Sequence, residues 1–273
     1  MAGTLGVIGG SLVGGGGGPT PDPLRMRQSS GPISVTAGET AHTKGAWTEL
    51  ISSTTHTSSQ LVFGAGLSQA SQNSAALVDI GVGPAGSEVP VIENLPCGMA
   101  TQGNSWQIPL PVEVPAGSRI AMRFQCASAG KTGSFGLSVF TDGAIQPGAL
   151  RVLGYNTDTS KGIPLQLNGS WVEISASVPA AYRYLVVVPS AGAPALQNND
   201  GSVILGVGAA GSEVERVGVG VSTTSGESIG CGTMDPSWSS SAIQRGVSAG
   251  ERIAARLEGF TLVHVDCSVI GVI

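Results

Sequence analysis

The chain is written in short runs with a two-residue period. Ser118–Phe124, SRIAMRF, places Ile120, Met122 and Phe124 on one side and Arg119, Ala121 and Arg123 on the other, as a strand with one buried face requires. Glu251–Leu257, ERIAARL, repeats the pattern with Ile253, Ala255 and Leu257. Trp47–Ile51, WTELI, and Trp171–Ser175, WVEIS, also alternate large apolar with polar residues. Tyr182–Pro189, YRYLVVVP, begins as an alternation and passes into an unbroken β-branched run, which predicts a strand covered on both faces. Gly and Pro punctuate the chain, and Asp142–Gly143 and Asp200–Gly201 read as turn signals. No long segment has a 3.6-residue period. Many short strands joined by Gly/Pro turns predict an all-β sandwich or barrel.

The pattern occurs twice. IGVGPAGSEV (Ile80–Val89) and LGVGAAGSEV (Leu205–Val214) agree at eight of ten positions, and AGSRIAMRF (Ala116–Phe124) agrees with AGERIAARL (Ala249–Leu257) at six of nine. GAWTELISS (Gly45–Ser53) answers to GSWVEISAS (Gly169–Ser177), Cys97 to Cys231 and Trp106 to Trp238, all in the same order. A period of about 125 residues suits a whole domain and not a solenoid unit. Two tandem homologous β-sandwich domains of jelly-roll type are therefore expected, at 41–148 and 149–273. A flexible Gly/Pro-rich arm is expected over 1–40. MAGTLGVIGGSLVGGGGG has no basic region and no cleavage site after an apolar run, so it reads neither as a signal peptide nor as a membrane span. PTPDPLRMRQSSGP extends the arm, its prolines excluding regular structure.

The repeated phrase itself reads as strand, turn, strand. Gly86 and Gly211 supply turn conformations closed to other residues, and Ser87 and Ser212 can bond back to the turn. Glu88 and Glu213 are expected to be solvated or to bind turn amides, in preference to holding a metal or a sugar. Charged residues make up only 11% of the chain, far below the roughly 25% of an ordinary soluble domain, so the surface suits burial in an assembly. A net charge of −5 with scattered Lys and Arg gives no basic footprint for nucleic acid. The one basic cluster, Arg25–Arg27, falls in the expected arm.

Candidate chemistry is sparse. His42, His56 and His264 have no metal-ligand spacing and read as solvent- or neighbour-facing residues. GVGPAG and GVGAAG precede no helix that could meet a phosphate. Glu49 and Glu173 recur beside Trp47 and Trp171. A ring next to a carboxylate could contact a glycan, although one face of an ordinary sheet looks the same. Cys97, Cys126, Cys231 and Cys267 fit no zinc motif. They read as buried free thiols or, outside a cell, as disulfides in one of three pairings. No catalytic, cofactor or metal residue emerges. The apolar tail CSVIGVI is expected to pair as a last strand or to dock on another subunit, so that deleting Ser268–Ile273 impairs assembly.

LVDIGVGPAGSEV followed by IPLPVEVPAGSRIAMRFQCASA (Ile108–Ala129) resembles a family of β-sandwich structural proteins of tailed bacteriophages. Pro109, Leu110 and Pro111, then Pro115, Ala116, Gly117, Arg119, Ile120, Ala121 and Arg123 carry the likeness. It covers most of the first copy and the second more loosely. The resemblance implies a non-enzymatic virion part (fibre, collar or decoration protein) assembled in the host cytoplasm, contacting other virion proteins and forming a homo-oligomer such as a trimer or ring. It brings no catalytic residues. A virion module binding host-surface glycan is the alternative, and a polysaccharide-degrading enzyme the further one. Neither a nucleic-acid partner nor membrane insertion is expected.

Overall fold

The computed structural model describes residues 25–66, 75–97, 106–141, 146–167, 169–191, 199–223, 230–231, 243–259 and 265–273. Nine strands lie before residue 142: β1 Arg25–Ser29, β2 Ile33–Thr36, β3 Thr48–Ile51, β4 Gln60–Gly66, β5 Ala76–Val82, β6 Val89–Cys97, β7 Trp106–Leu110, β8 Ile120–Cys126 and β9 Thr132–Thr141. Eleven follow. They are β10 Leu150–Leu153, β11 Tyr155–Asn156, β12 Lys161–Pro164, β13 Val172–Ser175, β14 Tyr182–Ala191, β15 Asn199–Val207, β16 Val214–Thr223, β17 Gly230–Cys231, β18 Ile243–Val247, β19 Ile253–Glu258 and β20 Val265–Val272. No helix occurs among the described residues, and all named strand pairs are antiparallel.

The first nine strands form two sheets, in the orders β1-β9-β4-β7 (with β2 also on β9) and β3-β8-β5-β6. The later strands form two more, β11-β12-β20-β14-β18 (with β10 also on β20) and β13-β19-β15-β16-β17. The second pair of sheets follows the strand order of the first with two additions, β11 beside β12 and β17 beside β16, and each named pairing stays within one half of the chain. The period-two residues explain the layering. Leu61 and Phe63 of β4, Phe135 and Leu137 of β9, and Val78, Ile80, Met122 and Phe124 of β5 and β8 share one core, so the two sheets meet face to face. Phe135 is central there, with Phe63 at 6.0 Å and Phe124 at 5.0 Å between ring centroids. Leu185, Val187, Val203, Leu205, Ile253, Ala255 and Val269 build the second core. Leu257 occupies the place of Phe124 in the repeated string, and the large ring of the second core is instead Tyr182.

The two halves touch through an apolar seam. Val152, Val186, Val188 and Ile270, which point away from the second core, belong to the first half's hydrophobic cluster, and β6 lies against β10, β12 and β14. Along β14, Leu185 and Val187 therefore serve one core while Val186 and Val188 serve the other. That is the doubly covered strand the β-branched run predicts. The corresponding face of the first half carries Ser138 opposite Val62, where the second half has Ile270 opposite Val186.

Two expectations change. Arg25–Ser29 and Ile33–Thr36 are strands on β9 and not part of an irregular arm reaching residue 40. Pro19, Pro21 and Pro23 bar ladder hydrogen bonds only where they stand, and from Arg25 the backbone amides are free to pair. Arg27 Nε also donates to Thr141 Oγ1 at 3.0 Å. Asp200–Gly201 is not a turn but part of β15, opposite Ser222 and Val221, because the hairpin ladder extends past it. Asp142–Gly143 lies outside the described residues. The apolar tail is indeed a last strand: β20 runs between β14 and the pair β10 and β12 and is buried throughout.

Candidate functional site

The repeated phrase builds the same object in each half. The turn after β5 is closed by the Ser87 N–H donating to the Pro84 carbonyl at 3.0 Å, and that after β15 by the Ser212 N–H donating to the Ala209 carbonyl at 2.9 Å. Gly86 and Gly211 have φ of +81° and +80°, a region that favours glycine. Behind each turn a carboxylate folds inward. Glu88 accepts the Gly86 N–H at 3.0 Å and Arg119 Nη1 at 2.8 Å, while Arg119 Nε donates to Glu49 at 2.8 Å. In the second half Arg252 Nη1 donates to Glu213 at 2.7 Å and Nε to Glu173 at 2.9 Å. The planar fork of Arg reaches two carboxylates at once, which Lys could not do in this geometry. The backbone of the same Arg ties in as well: Gly83 and Gly208 donate to the carbonyls of Arg119 and Arg252. Each turn is thus locked to the strand-entry turn beside it.

Glu88 and Glu213 favour the ionised form. Burial pushes the Glu88 carboxyl upward, but the Arg119 hydrogen bond and charge and the turn amides outweigh it, and it titrates below the ordinary range. The Arg252 hydrogen bond, against the opposing effect of burial, lowers Glu213 in the same way. A general acid needs the reverse shift. The binding of turn amides expected of Glu88 is present, but its side chain is buried and not solvated.

The two tryptophans lie flat on the sheets. A Cβ on Gly81 would come within 2.9 Å of Trp47 Cη2, and one on Gly206 within 2.6 Å of Trp171 Cη2. Only glycine admits the ring at this height. The Arg123 guanidinium stands 4.6 Å from the Trp47 ring centroid and that of Arg256 5.1 Å from Trp171, within cation–π range. The four residues considered for glycan contact thus form two separate pairs, Trp47 with Glu49 and Trp171 with Glu173. Both rings and both carboxylates already have partners in their own half.

One cluster is not duplicated. Asp79, buried on the outer face of β5, accepts Lys44 Nζ at 2.7 Å, Arg123 Nε at 2.9 Å and the Asn94 N–H at 2.8 Å. Burial lowers the Lys44 ammonium and Asp79 draws it back part of the way. Ile204 stands at the matching place in β15, and Arg256 turns instead to Glu215 and Glu258. Across the seam, His42 Nδ1 and Ser160 Oγ are 2.8 Å apart, and Gln125 Nε2 donates to Ser160 Oγ at 3.0 Å and to the Thr157 carbonyl at 2.7 Å. His42 and Ser160 both hold positive φ, +59° and +55°. His42 is therefore a contact between halves and not a plain surface residue. His56 is exposed and meets Thr55 Oγ1, and His264 lies outside the described residues.

Cys97, Cys126 and Cys267 are buried free thiols. Cys97 and Cys126 flank Ala76 from the two strands on either side of β5. Their Cα atoms are two strand spacings apart, roughly 10 Å, too far for a disulfide. Burial pushes the Cys97 and Cys267 thiols up to about 12. Cys231 belongs to β17, paired with Val221, and does not take the place of Cys97, which pairs directly with β5; its side chain lies outside the described residues. Among the described residues no group of three or more His, Cys, Asp or Glu could hold a metal ion, and no helix is long and apolar enough to cross a membrane.

Sequence reasoning found Glu49, Glu88, Glu173 and Glu213 but missed Arg119 and Arg252 as the residues that join them. The signal was present: both arginines recur in the matched AGSR and AGER strings of a chain only 11% charged. The Asp79 cluster and the His42–Ser160 contact leave no such trace, because neither is duplicated. No protein-family model matches the chain, and no curated protein matches it.

Proposed function

We propose that the chain is two copies of one jelly-roll sandwich, produced by internal duplication, and serves as a non-enzymatic structural part of a bacteriophage particle. In this reading it is a fibre, collar or decoration protein. It works by rigid shape and by contacts with other virion proteins and with copies of itself. The strand order shared by the two pairs of sheets, apart from the added β11 and β17, supports the duplication, and antiparallel double sheets of eight-strand type are common in viral shells.

The observation that carries the reading is the bracing. Of the ionisable side chains that recur in both halves, Glu49, Glu88 and Arg119 are bound to one another in the first, as Glu173, Glu213 and Arg252 are in the second. Two carboxylates, Glu88 and Glu213, are held in the state opposite to that of a general acid. Such side chains fix shape and are not themselves poised to transform a substrate.

Density-gradient purification of particles carrying a tagged copy tests the proposal. The chain is expected to band with complete particles and to fill two adjoining sandwiches of density in a cryo-EM map. Complete particles that band without it, the chain remaining in the soluble lysate, would overturn the proposal. Binding of the purified chain to a glycan array, lost on Trp47→Ala or Trp171→Ala, would favour the receptor-binding alternative.

A further inference from the structure

The polar contact across the seam has a direction. Gln125 Nε2 donates to the Thr157 carbonyl at 2.7 Å, and because a carbonyl only accepts, the amide nitrogen is fixed on that side. The same nitrogen lies 3.0 Å from Ser160 Oγ, so the hydroxyl oxygen accepts there. Ser160 is fully buried, and its O–H proton needs an acceptor of its own. His42 Nδ1, at 2.8 Å, is the acceptor in reach. The lone pair of Nδ1 is then free to accept, and the ring proton sits on Nε2. The chain of bonds runs from Gln125 to Ser160 to His42 and depends on a neutral imidazole.

Both ends of this contact hold a backbone that most residues avoid. Among the described residues three that are not glycine have left-handed φ, namely His42, Asn94 and Ser160. Two of the three are the partners in this one contact. Such conformations persist only where the surroundings hold them. Loss of the contact therefore lets both segments relax.

The segment that bears Ser160 belongs to the second half alone. Residues 30–32 join β1 to β2, whereas residues 154–160 join β10 to β12, which lie on β20 as β1 and β2 lie on β9. The longer link carries β11 and reaches β6 of the first half. It forms a strap whose own turn is preformed, since Asn156 Oδ1 accepts the N–H groups of Asp158 and Thr159.

We infer that His42 is a proton-operated latch for this strap: neutral, it holds residues 154–160 on the first half, and protonated, it lets them go. A proton on Nδ1 turns the acceptor into a donor. It then faces an oxygen that already accepts from Gln125, and the buried Ser160 O–H loses its acceptor. The titratable groups on the surrounding segments are Glu39 and Lys44 on the loop of His42, Cys126 at the end of β8, Lys131 before β9, and Asp158 and Lys161 on the strap. Lys44 is held by Asp79, and the Cys126 thiol donates to the Ser128 carbonyl. Glu39 and Asp158 are exposed, and among the described residues no ion pair joins either acid to His42. The seam residues Val152, Val186, Val188 and Ile270 do not titrate, so acid frees the strap and leaves the halves joined. The fastening is complete while the ring is neutral. It is lost as pH falls through the range in which imidazole takes up a proton, between about pH 8 and 5.

Two readouts on the full chain test this. Nitrogen NMR of the His42 ring at pH 8 should show Nδ1 bare and Nε2 protonated. Hydrogen exchange in peptides covering 154–160, corrected for its intrinsic pH dependence, should quicken at least about ten-fold from pH 8 to pH 5, with β20 unchanged. H42N puts a carbonyl oxygen where Nδ1 stood, tolerates the left-handed backbone and takes up no proton, so its strap should stay slow at both pH values. S160G keeps the left-handed backbone and removes the hydroxyl, so its strap should be fast at both. A proton on Nδ1 at pH 8, a wild-type strap without the step, a step shared equally by β20, or the same step in H42N or S160G overturns the inference.

Discussion

Gly206 and Gly81 are held as glycine by a ring and not by a turn. Neither has positive φ, yet a methyl group on either would enter the space of Trp171 or Trp47. Gly206→Ala and Gly81→Ala are therefore expected to cost about 1–3 kcal/mol each through overpacking, read from urea midpoints, with the larger loss at Gly206, where the approach is closer. The carboxylates Glu88 and Glu213 bring a pH dependence whose sign follows from their lowered titration. Their stabilisation is fully present above the unfolded glutamate value of about 4.3 and is lost as pH falls through the lower folded value. Unfolding free energy measured from pH 6 down to pH 3 should fall with acidification. E88Q/E213Q should flatten that slope, and an unchanged slope would show that the brace carries no linkage.

At the scale of elements, the tail has most at stake. β20 pairs with β14 on one side and with β10 and β12 on the other, and its side chains serve both cores, Val269 in the second and Ile270 in the first. Removing Ser268–Ile273 takes out the middle of a sheet and not an edge. The truncation is expected to abolish folding of the second half, seen as loss of strand signal and of solubility, before assembly is ever at issue. A truncated chain that folded normally and failed only to assemble would contradict this placement. The strands themselves were readable from the period-two runs, and β14 even as a doubly covered one. β1 and β2 were not, because the prolines ahead of them dominated the reading and their partner β9 lies more than ninety residues further on.

Across the whole molecule, the seam makes the halves one body. Val152, Val186, Val188 and Ile270 are covered by the first half, and burial of such side chains contributes about 1.5–3 kcal/mol each. The polar contact of His42, Gln125 and Ser160 fixes the register of that seam. Ser160→Ala leaves a Gln125 amide proton and the His42 ring without their partner in a buried place. It should cost about 1–3 kcal/mol, and in calorimetry the second half should begin to melt ahead of the first. A single unshifted transition would show that the apolar seam alone couples them.

Local order was legible from neighbours along the chain. Alternation, the doubled phrase, the turn glycines and the sparse charge all act over a few residues, and each has a physical meaning that needs no partner. What joins distant strands was not: Arg119 reaching back seventy residues to Glu49, Asp79 gathering Lys44 and Arg123, Ser160 meeting His42, and the valines of β14 divided between two cores. Those contacts depend on which faces the sheets turn toward each other, and a two-residue period carries no record of what will lie across the gap once the chain has closed.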